Sequence, residues 1–266
     1  MKLSIVIASC NRPLHLAKLR LSLVSQKTRD VEIIIIKNSF GLAKARNIGW
    51  KKARGKYVAY IDDDAVASYD WVENILKFIV LYPEVVAFGG PYHSSNQASI
   101  PTWIPMEVIS KKYPGKIERP IDVGVEWLNG TNMIFSRKVL KEIGGFDERL
   151  GIHGSTRAYG EETDFQIRLH NAGYDIWYSP SIMVLHEFAQ FKQNFIYLIK
   201  NQYIHGKNSY AVFKNLIRSD PLQIASSLIV KLGQKKLPLK SRLYYVLSPF
   251  AYLLGKFVGR FNSSHS

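Results

Sequence analysis

The sequence predicts an α/β domain with a mostly parallel sheet, followed by a basic helical appendage. Three observations lead there. Apolar runs of strand length alternate with segments of helical period from Leu3 to about Phe88, the pattern of sheets whose strands are joined by helices. One of those strands, Tyr57 to Ile61, runs straight into the carboxylates Asp62, Asp63 and Asp64. The composition then changes after Glu187, with 12 basic residues against a single acid, Asp220, from Phe188 onward. The expected division is a domain over 1–187 and a basic amphipathic helical extension over 188–266.

Whole-chain quantities set the frame. The 266 residues are 47% apolar, ample for a core. Lys and Arg exceed Asp and Glu by 36 to 21, a formal charge of +15 that suits an anionic partner. A single cysteine, Cys10, excludes an intramolecular disulfide framework and a cysteine-rich metal site, which fits a reducing compartment. The apolar run Leu3 to Ala8 is too short for a signal peptide, so the expected location is cytoplasmic.

The elements follow in order. Leu3 to Ala8 reads as a buried strand ending in the loop Ser9-Cys10-Asn11-Arg12-Pro13, and leucines at helical spacing come next. Asp30 to Ile36 is rich in Ile and Val, as strands covered on both faces are. Leu42 to Ala53 reads as a helix bearing Lys44, Arg46, Lys51 and Lys52. The aspartate-bearing strand precedes a helix from about Tyr69 to Leu81, then a strand from Val85 to Phe88. From Tyr92 to about Val123 no period is visible, and a long loop is expected. Met133 to Ser136 returns as a strand and Arg137 to Ile143 as a short helix.

Two acidic clusters carry the chemistry. Side chains alternate along a strand, so Asp62 and Asp64 should emerge on one side and Asp63 on the other. Carboxylates this close repel, and they read either as a solvated turn or as a seat for a hard divalent ion such as Mg2+ or Mn2+, which grips phosphate oxygens. The second cluster, Glu161-Glu162 with Asp164, opens a segment whose Phe165, Ile167 and Leu169 give a helix-compatible apolar face. Acids there either complement the helix dipole or provide a general base toward an incoming hydroxyl. Ligands of α/β sheets bind beyond the carboxyl ends of strands, where both Ser9–Arg12 and Asp62–Asp64 are expected.

Taken in series, Val6 to Arg12, Gly41-Leu42-Ala43-Lys44-Ala45-Arg46-Asn47-Ile48-Gly49, the aspartate triplet, Asn129-Gly130-Thr131-Asn132, Gly144-Gly145-Phe146-Asp147-Glu148, Gly160-Glu161-Glu162-Thr163-Asp164 and Ala172-Gly173-Tyr174 resemble the ordered motifs of family 2 glycosyltransferases. The similarity runs over about residues 2–187. It implies the A-type nucleotide-diphospho-sugar transferase fold, a mixed Rossmann-like sheet flanked by helices. It also implies a metal-dependent inverting transferase that uses a nucleoside diphosphate sugar donor and a glycan or lipid-linked acceptor. By the same resemblance, Glu162 is the first choice for the base and Glu161 the second. Asp64, with Asp62 and His186, would hold Mn2+ or Mg2+, while Arg46, Asp62, Asp63 and Asn132 would meet the donor. Asp164 and Arg168 would orient the helix or contact phosphate. One departure stands out. The second strand is followed almost at once by Gly41, where the family has an Asp and some two dozen further residues, so either two elements are fused or a strand is missing.

In the last third, Phe188 to Ile217 reads as a helix with Phe191, Phe195, Leu198 and Ile199 on one face, and Pro221 to Leu232 as another. The final apolar stretch, Leu243 to Gly255, is interrupted by Pro249 and too short to span a bilayer. Its flanking cations suit either an anionic membrane surface or an ordinary helical cap. Two rivals to a glycosyltransferase are a sugar-phosphate nucleotidyltransferase, whose glycine-rich loop is missing after the first strand, and a nonenzymatic basic module. Nucleic acid is not an expected partner, because no helix-turn-helix, zinc finger or aromatic ribonucleoprotein motif is present.

Overall fold

The computed structural model describes residues 1–26, 29–37, 41–152, 158–213 and 237–263. The chain forms two compact units, the first made of residues 1–95, 110–156 and 161–187 and the second of residues 96–109, 157–160 and 188–266. The end of the first unit coincides with the compositional change after Glu187. The stretch expected to be a long loop is shared: it supplies β6 (Tyr92–Ser94) and β7 (Arg119–Pro120) to the first unit, and α4 (Met106–Ile109) to the second. These elements are two to four residues long, too short to leave a period in the sequence.

In the first unit β1 (Leu3–Ser9), α1 (Pro13–Val24), β2 (Val31–Lys37), α2 (Leu42–Lys52), β3 (Tyr57–Tyr60), β4 (Ala65–Ala67), α3 (Trp71–Leu81) and β5 (Ala87–Gly89) alternate as the sequence indicates. After β6 and β7 come β8 (Met133–Ser136), α5 (Arg137–Ile143), α6 (Glu161–Asn171), β9 (Ile176–Tyr178) and β10 (Val184–His186). The seven-stranded sheet has the order β2-β1-β3-β8-β5-β9-β7, and a three-stranded sheet has the order β4-β10-β6. The large sheet is mixed rather than mostly parallel, since β8 runs antiparallel to both β3 and β5. No local pattern distinguishes the direction of a fully buried strand such as β8.

Strand alternation sorts the core. Leu3, Ile5 and Ile7 of β1 and Tyr57 and Ala59 of β3 face one apolar cluster with Leu19 and Leu23 of α1 and Trp71, Ile75 and Phe78 of α3. Val6, Val58 and Tyr60 point the other way, into a cluster with Val139 and Leu140 of α5 and Phe165 and Leu169 of α6. Helix α2 lies close on β1 because Gly49 has no side chain; a Cβ there would overlap the Val6 side chain. Each large side chain buried this way stabilises the fold by about 1.5–3 kcal/mol.

Strand β2 departs from expectation. It is the sheet's edge strand, and although Ile33 and Ile35 pack against one cluster and Ile34 against the other, Glu32 to Ile35 are only partly buried. The chain passes from β2 to α2 through residues 38–40, and no strand pairs outside β2 among the described residues. Among the described residues the sheet thus ends one strand beyond β1, at β2.

Asn132, expected at the donor, is instead a staple of the core. It is fully buried; its Oδ1 accepts from Trp71 Nε1 (3.0 Å), and its Nδ2 donates to the carbonyls of Pro91 (3.0 Å) and Ile182 (2.7 Å). Asn132→Ala removes those three bonds, although the Pro91 carbonyl still accepts from Val184 N–H (3.2 Å), and is expected to cost about 3 kcal/mol in chemical denaturation. Donor affinity of the folded fraction should stay unchanged. A weaker donor at full stability would return Asn132 to the site.

The second unit holds a short 3-10 turn at Gln190–Gln193, α7 (Phe195–Phe213) and α8 (Leu239–Ser263). Its core gathers Ile100, Ile104, Ile109, Phe188, Leu198 and Tyr244. Of the face expected on the first helix, Phe195, Leu198 and Ile199 pack there while Phe191 stays exposed. Helix α8 continues through Pro249 rather than breaking at it. The helix expected over Pro221 to Leu232 lies outside the described residues.

Candidate active site

Strand β3 delivers the aspartate triplet to its carboxyl end, where the chain turns (Ala65 N–H to Asp62 C=O, 3.1 Å) into β4. Strand β10 runs antiparallel to β4 with His186 opposite Ala65, so register alone sets the imidazole beside the triplet. His186 Nε2 lies 3.0 Å from Asp64 Oδ1. One oxygen each from Asp62 and Asp64 and one ring nitrogen of His186 lie within 4.8 Å of one another. Asp62 and Asp64 join this group, while Asp63 is buried at 5% exposure; the triplet lies in the turn past β3, so strand alternation does not set Asp63 apart from Asp64.

Two arginines balance the acids. Arg12, at the carboxyl end of β1, places Nη1 3.2 Å from Asp63 Oδ1 and 2.8 Å from Asp64 Oδ2. The sequence reading did not single it out. The available signal was its place after a strand, but only the parallel pairing of β1 with β3 brings the two strand ends together. Arg46 is buried rather than on the surface of α2. Its Nη1 donates to Glu161 Oε1 (2.7 Å), and its Nη2 reaches Asp62 Oδ1 (3.5 Å) and the Gly130 carbonyl (3.4 Å). A Cβ at position 130 would meet that guanidinium, which is why glycine suits the position.

One guanidinium thus joins the two acidic clusters that stand about a hundred residues apart in the chain. Glu161 is buried at the start of α6, and Glu162 beside it is half-exposed. Helix α6 is held by Gln166, which exchanges two hydrogen bonds with the Leu128 backbone (2.7 and 3.2 Å). Arg168 is structural: it pairs with Asp164 (2.8 Å) and donates to the carbonyls of Ile143 (2.8 Å) and Gly145 (2.7 Å). The Gly144-to-Glu148 turn is clamped by Asn47, which accepts from Phe146 N–H (2.9 Å) and donates to the Phe146 carbonyl (2.8 Å) and Glu148 (2.9 Å).

Arg46 offers one positive charge to both Glu161 and Asp62. Burial pushes Glu161 up to about 8, with Glu162 adding to the rise and Arg46 opposing it. Burial also raises Asp62 against the pull of Arg46, and Asp64 adds to that rise. Lys111, also missed in the sequence, is lowered to about 8 by burial, while Glu162 and Glu126 pull it back. A carboxyl that holds its proton more tightly in the folded state stabilises the fold below its unfolded value, near 4.5 for Glu161, and loses that contribution as pH rises through 8. The melting temperature of the protein relative to Glu161→Gln should therefore fall between about pH 5 and about pH 9. A flat difference would mean that Arg46 keeps Glu161 ionised throughout.

The donor set suits a hard divalent ion. Two carboxylates and an imidazole match Mn2+ or Mg2+ and leave coordination positions for phosphate oxygens. Buried Asp63 Oδ2 has no hydrogen-bond partner among the described residues, a second sign of an acid-rich site suited to a cationic ligand.

A mixed, helix-flanked sheet with an Asp-x-Asp turn at a strand end and an acid pair tied to it defines an A-type nucleotide-diphospho-sugar transferase fold. The model of glycosyl transferase family 2 matches residues 37–144 of the chain. The chain is similar to the glucosyl-dolichyl phosphate glucuronosyltransferase of Haloferax volcanii, with 29% identity over 170 residues, covering 62% of this chain and 54% of that protein. It is also similar to the pre-mycofactocin glycosyltransferase of Mycobacterium tuberculosis, with 26% identity covering 59% of this chain and 32% of the other. The chain thus spans about half of the first relative's length and a third of the second's. In fold it resembles a Pyrobaculum calidifontis mannosyltransferase solved with GDP-Man and Mn2+, at TM-score 0.57 and 13% identity, covering 99% of this chain and 73% of that one. S. aureus TarS is a further fold neighbour at TM-score 0.53 and 12% identity, covering 96% and 49%.

Proposed function

We propose that the protein is a metal-dependent, inverting glycosyltransferase that moves a hexosyl group from a nucleoside diphosphate sugar to a hydroxyl of a glycan or lipid-linked saccharide. The observation that carries this reading is the Arg46 bridge, which puts Glu161 and Asp62 on one guanidinium. A transferase needs a cation-binding acid group for the diphosphate and a carboxylate nearby for the acceptor, and the bridge ties the first to the helix start that carries Glu162. The Mn2+ in the similar mannosyltransferase structure adds support for the metal.

In this reading Asp62, Asp64 and His186 hold Mn2+ or Mg2+. The ion, when bound, offsets negative charge developing on the diphosphate leaving group. Asp63 and Arg46 complete the donor side. Half-exposed Glu162 takes the proton of the acceptor hydroxyl as its oxygen bonds to the anomeric carbon and the bond from that carbon to the diphosphate breaks. Attack opposite the leaving group inverts the anomeric configuration. Buried Glu161, paired with Arg46, positions its neighbour rather than reacting. In this reading the protein works in the cytoplasm and would meet a lipid-linked acceptor peripherally at the inner face of the cell membrane.

A panel of nucleotide sugars screened for Mn2+-dependent thermal stabilisation tests the reading, because a ligand bound only by the folded state raises its melting point. The stabilising donor should then release nucleoside diphosphate in the presence of acceptor, with an inverted product anomer by NMR. Release of pyrophosphate would instead indicate nucleotidyl transfer. Stabilisation by none of the donors would remove the proposal.

A further inference from the structure

We propose that α8 is a membrane-docking element, bedding its outward face in the headgroup layer of an anionic bilayer with its axis parallel to the surface. Leu243, Leu247, Phe250, Leu254, Phe257 and Phe261 recur at spacings of three and four, so they form one stripe along the helix. All six are exposed, from 42% at Leu247 to 67% at Phe250. Single exposed apolar residues are ordinary, but a continuous stripe along a 25-residue helix is not.

The stripe cannot simply roll inward. The opposite side of α8 is committed to its own unit: Ser241 and Tyr244 are buried, and Ser241 Oγ donates to the Trp103 carbonyl (2.7 Å). Gly255 and Gly259 lie against α7, where a Cβ on either would overlap the backbone at Tyr203 and Lys207. Helix–helix contact this close fixes the rotation of α8 about its axis.

Charge identifies the occupant. Helix α8 carries Lys240, Arg242, Lys256 and Arg260 and no acid. At 100° per residue Arg242 and Arg260 fall along one border of the stripe and Lys240 along the other. Cations bordering a Leu and Phe face match a helix lying in a lipid interface, with the apolar side in the acyl boundary and the cations on anionic headgroups. Among the described residues no helix is long and apolar enough to cross a membrane, which makes the surface-parallel placement the fitting one.

Flotation of the full chain with vesicles of equal parts phosphatidylglycerol and phosphatidylcholine, against pure phosphatidylcholine, tests this without reference to activity. The protein should float with the anionic vesicles and lose most binding in high salt. Phe250→Glu with Phe257→Glu should weaken partitioning at least about tenfold. Phe191→Glu, an exposed aromatic outside α8, should leave it unchanged. Phe250→Trp should show blue-shifted emission on vesicles and quenching by lipids brominated near the headgroup end of the acyl chain. Wild-type protein that stays unbound would overturn the proposal. So would a double variant that floats like wild type, or one that only turns a dimer into a monomer, or an introduced indole that lipid bromines do not quench.

Discussion

Glu162→Gln is expected to abolish transfer while leaving the donor bound. The amide keeps the size of the carboxylate but cannot accept the acceptor's proton, and loss of a general base of this kind lowers turnover by about 10²–10⁴-fold. Glu162 is outside the group of Asp62, Asp64 and His186, so Mn2+-dependent stabilisation by the donor should persist. Comparison with Glu161→Gln makes the assignment decisive. Glu161 is buried against Arg46 and acts through position, so its variant should shift the pH dependence of stability more than it lowers turnover. Full turnover by Glu162→Gln would transfer the base role to Glu161 or a nearby aspartate.

Asp64→Ala is expected to remove metal-dependent donor binding altogether. Asp64 is the aspartate that both His186 and Arg12 approach, at 3.0 and 2.8 Å, and it contributes an oxygen to the group suited to a divalent ion. Metal-ion stabilisation of a leaving group is worth several kcal/mol, so transfer should drop by about 10³-fold or more. The melting shift that Mn2+ and donor produce in wild type should vanish. Without ligands the variant should melt close to wild type, because the lost ion pairs are offset by relief of repulsion among neighbouring carboxylates. A variant that keeps its Mn2+-dependent melting shift would show that the ion does not rest on Asp64.

Much of the first unit was legible because its elements carry strong periods. Met133 to Ser136 and Arg137 to Ile143 have the bounds the sequence indicates, since three apolar residues before a Ser N-cap, with a glycine C-cap after the helix, mark a strand and a helix. The stretch from Tyr92 to Val123 was not legible, because its short elements are stabilised by partners distant in the chain, as in the bridge of Tyr92 to Lys111. Pro249 misled for a related reason. Proline removes one hydrogen bond from a helix, but the contact of α8 with α7 through Gly255 and Gly259 compensates for that loss.

The amino-acid sequence alone determined the acid-bearing strand, the helix that starts with Glu161 and Glu162, and the compositional break after Glu187, because each is written in consecutive residues. Tertiary structure decided which charges meet. Whether Arg46 is buried, whether Asn132 faces a ligand or the core, and whether Arg12 touches Asp64 depend on sheet order and strand register. Those are set by burial of both faces of the sheet, a property of the assembled fold that no short stretch of chain encodes.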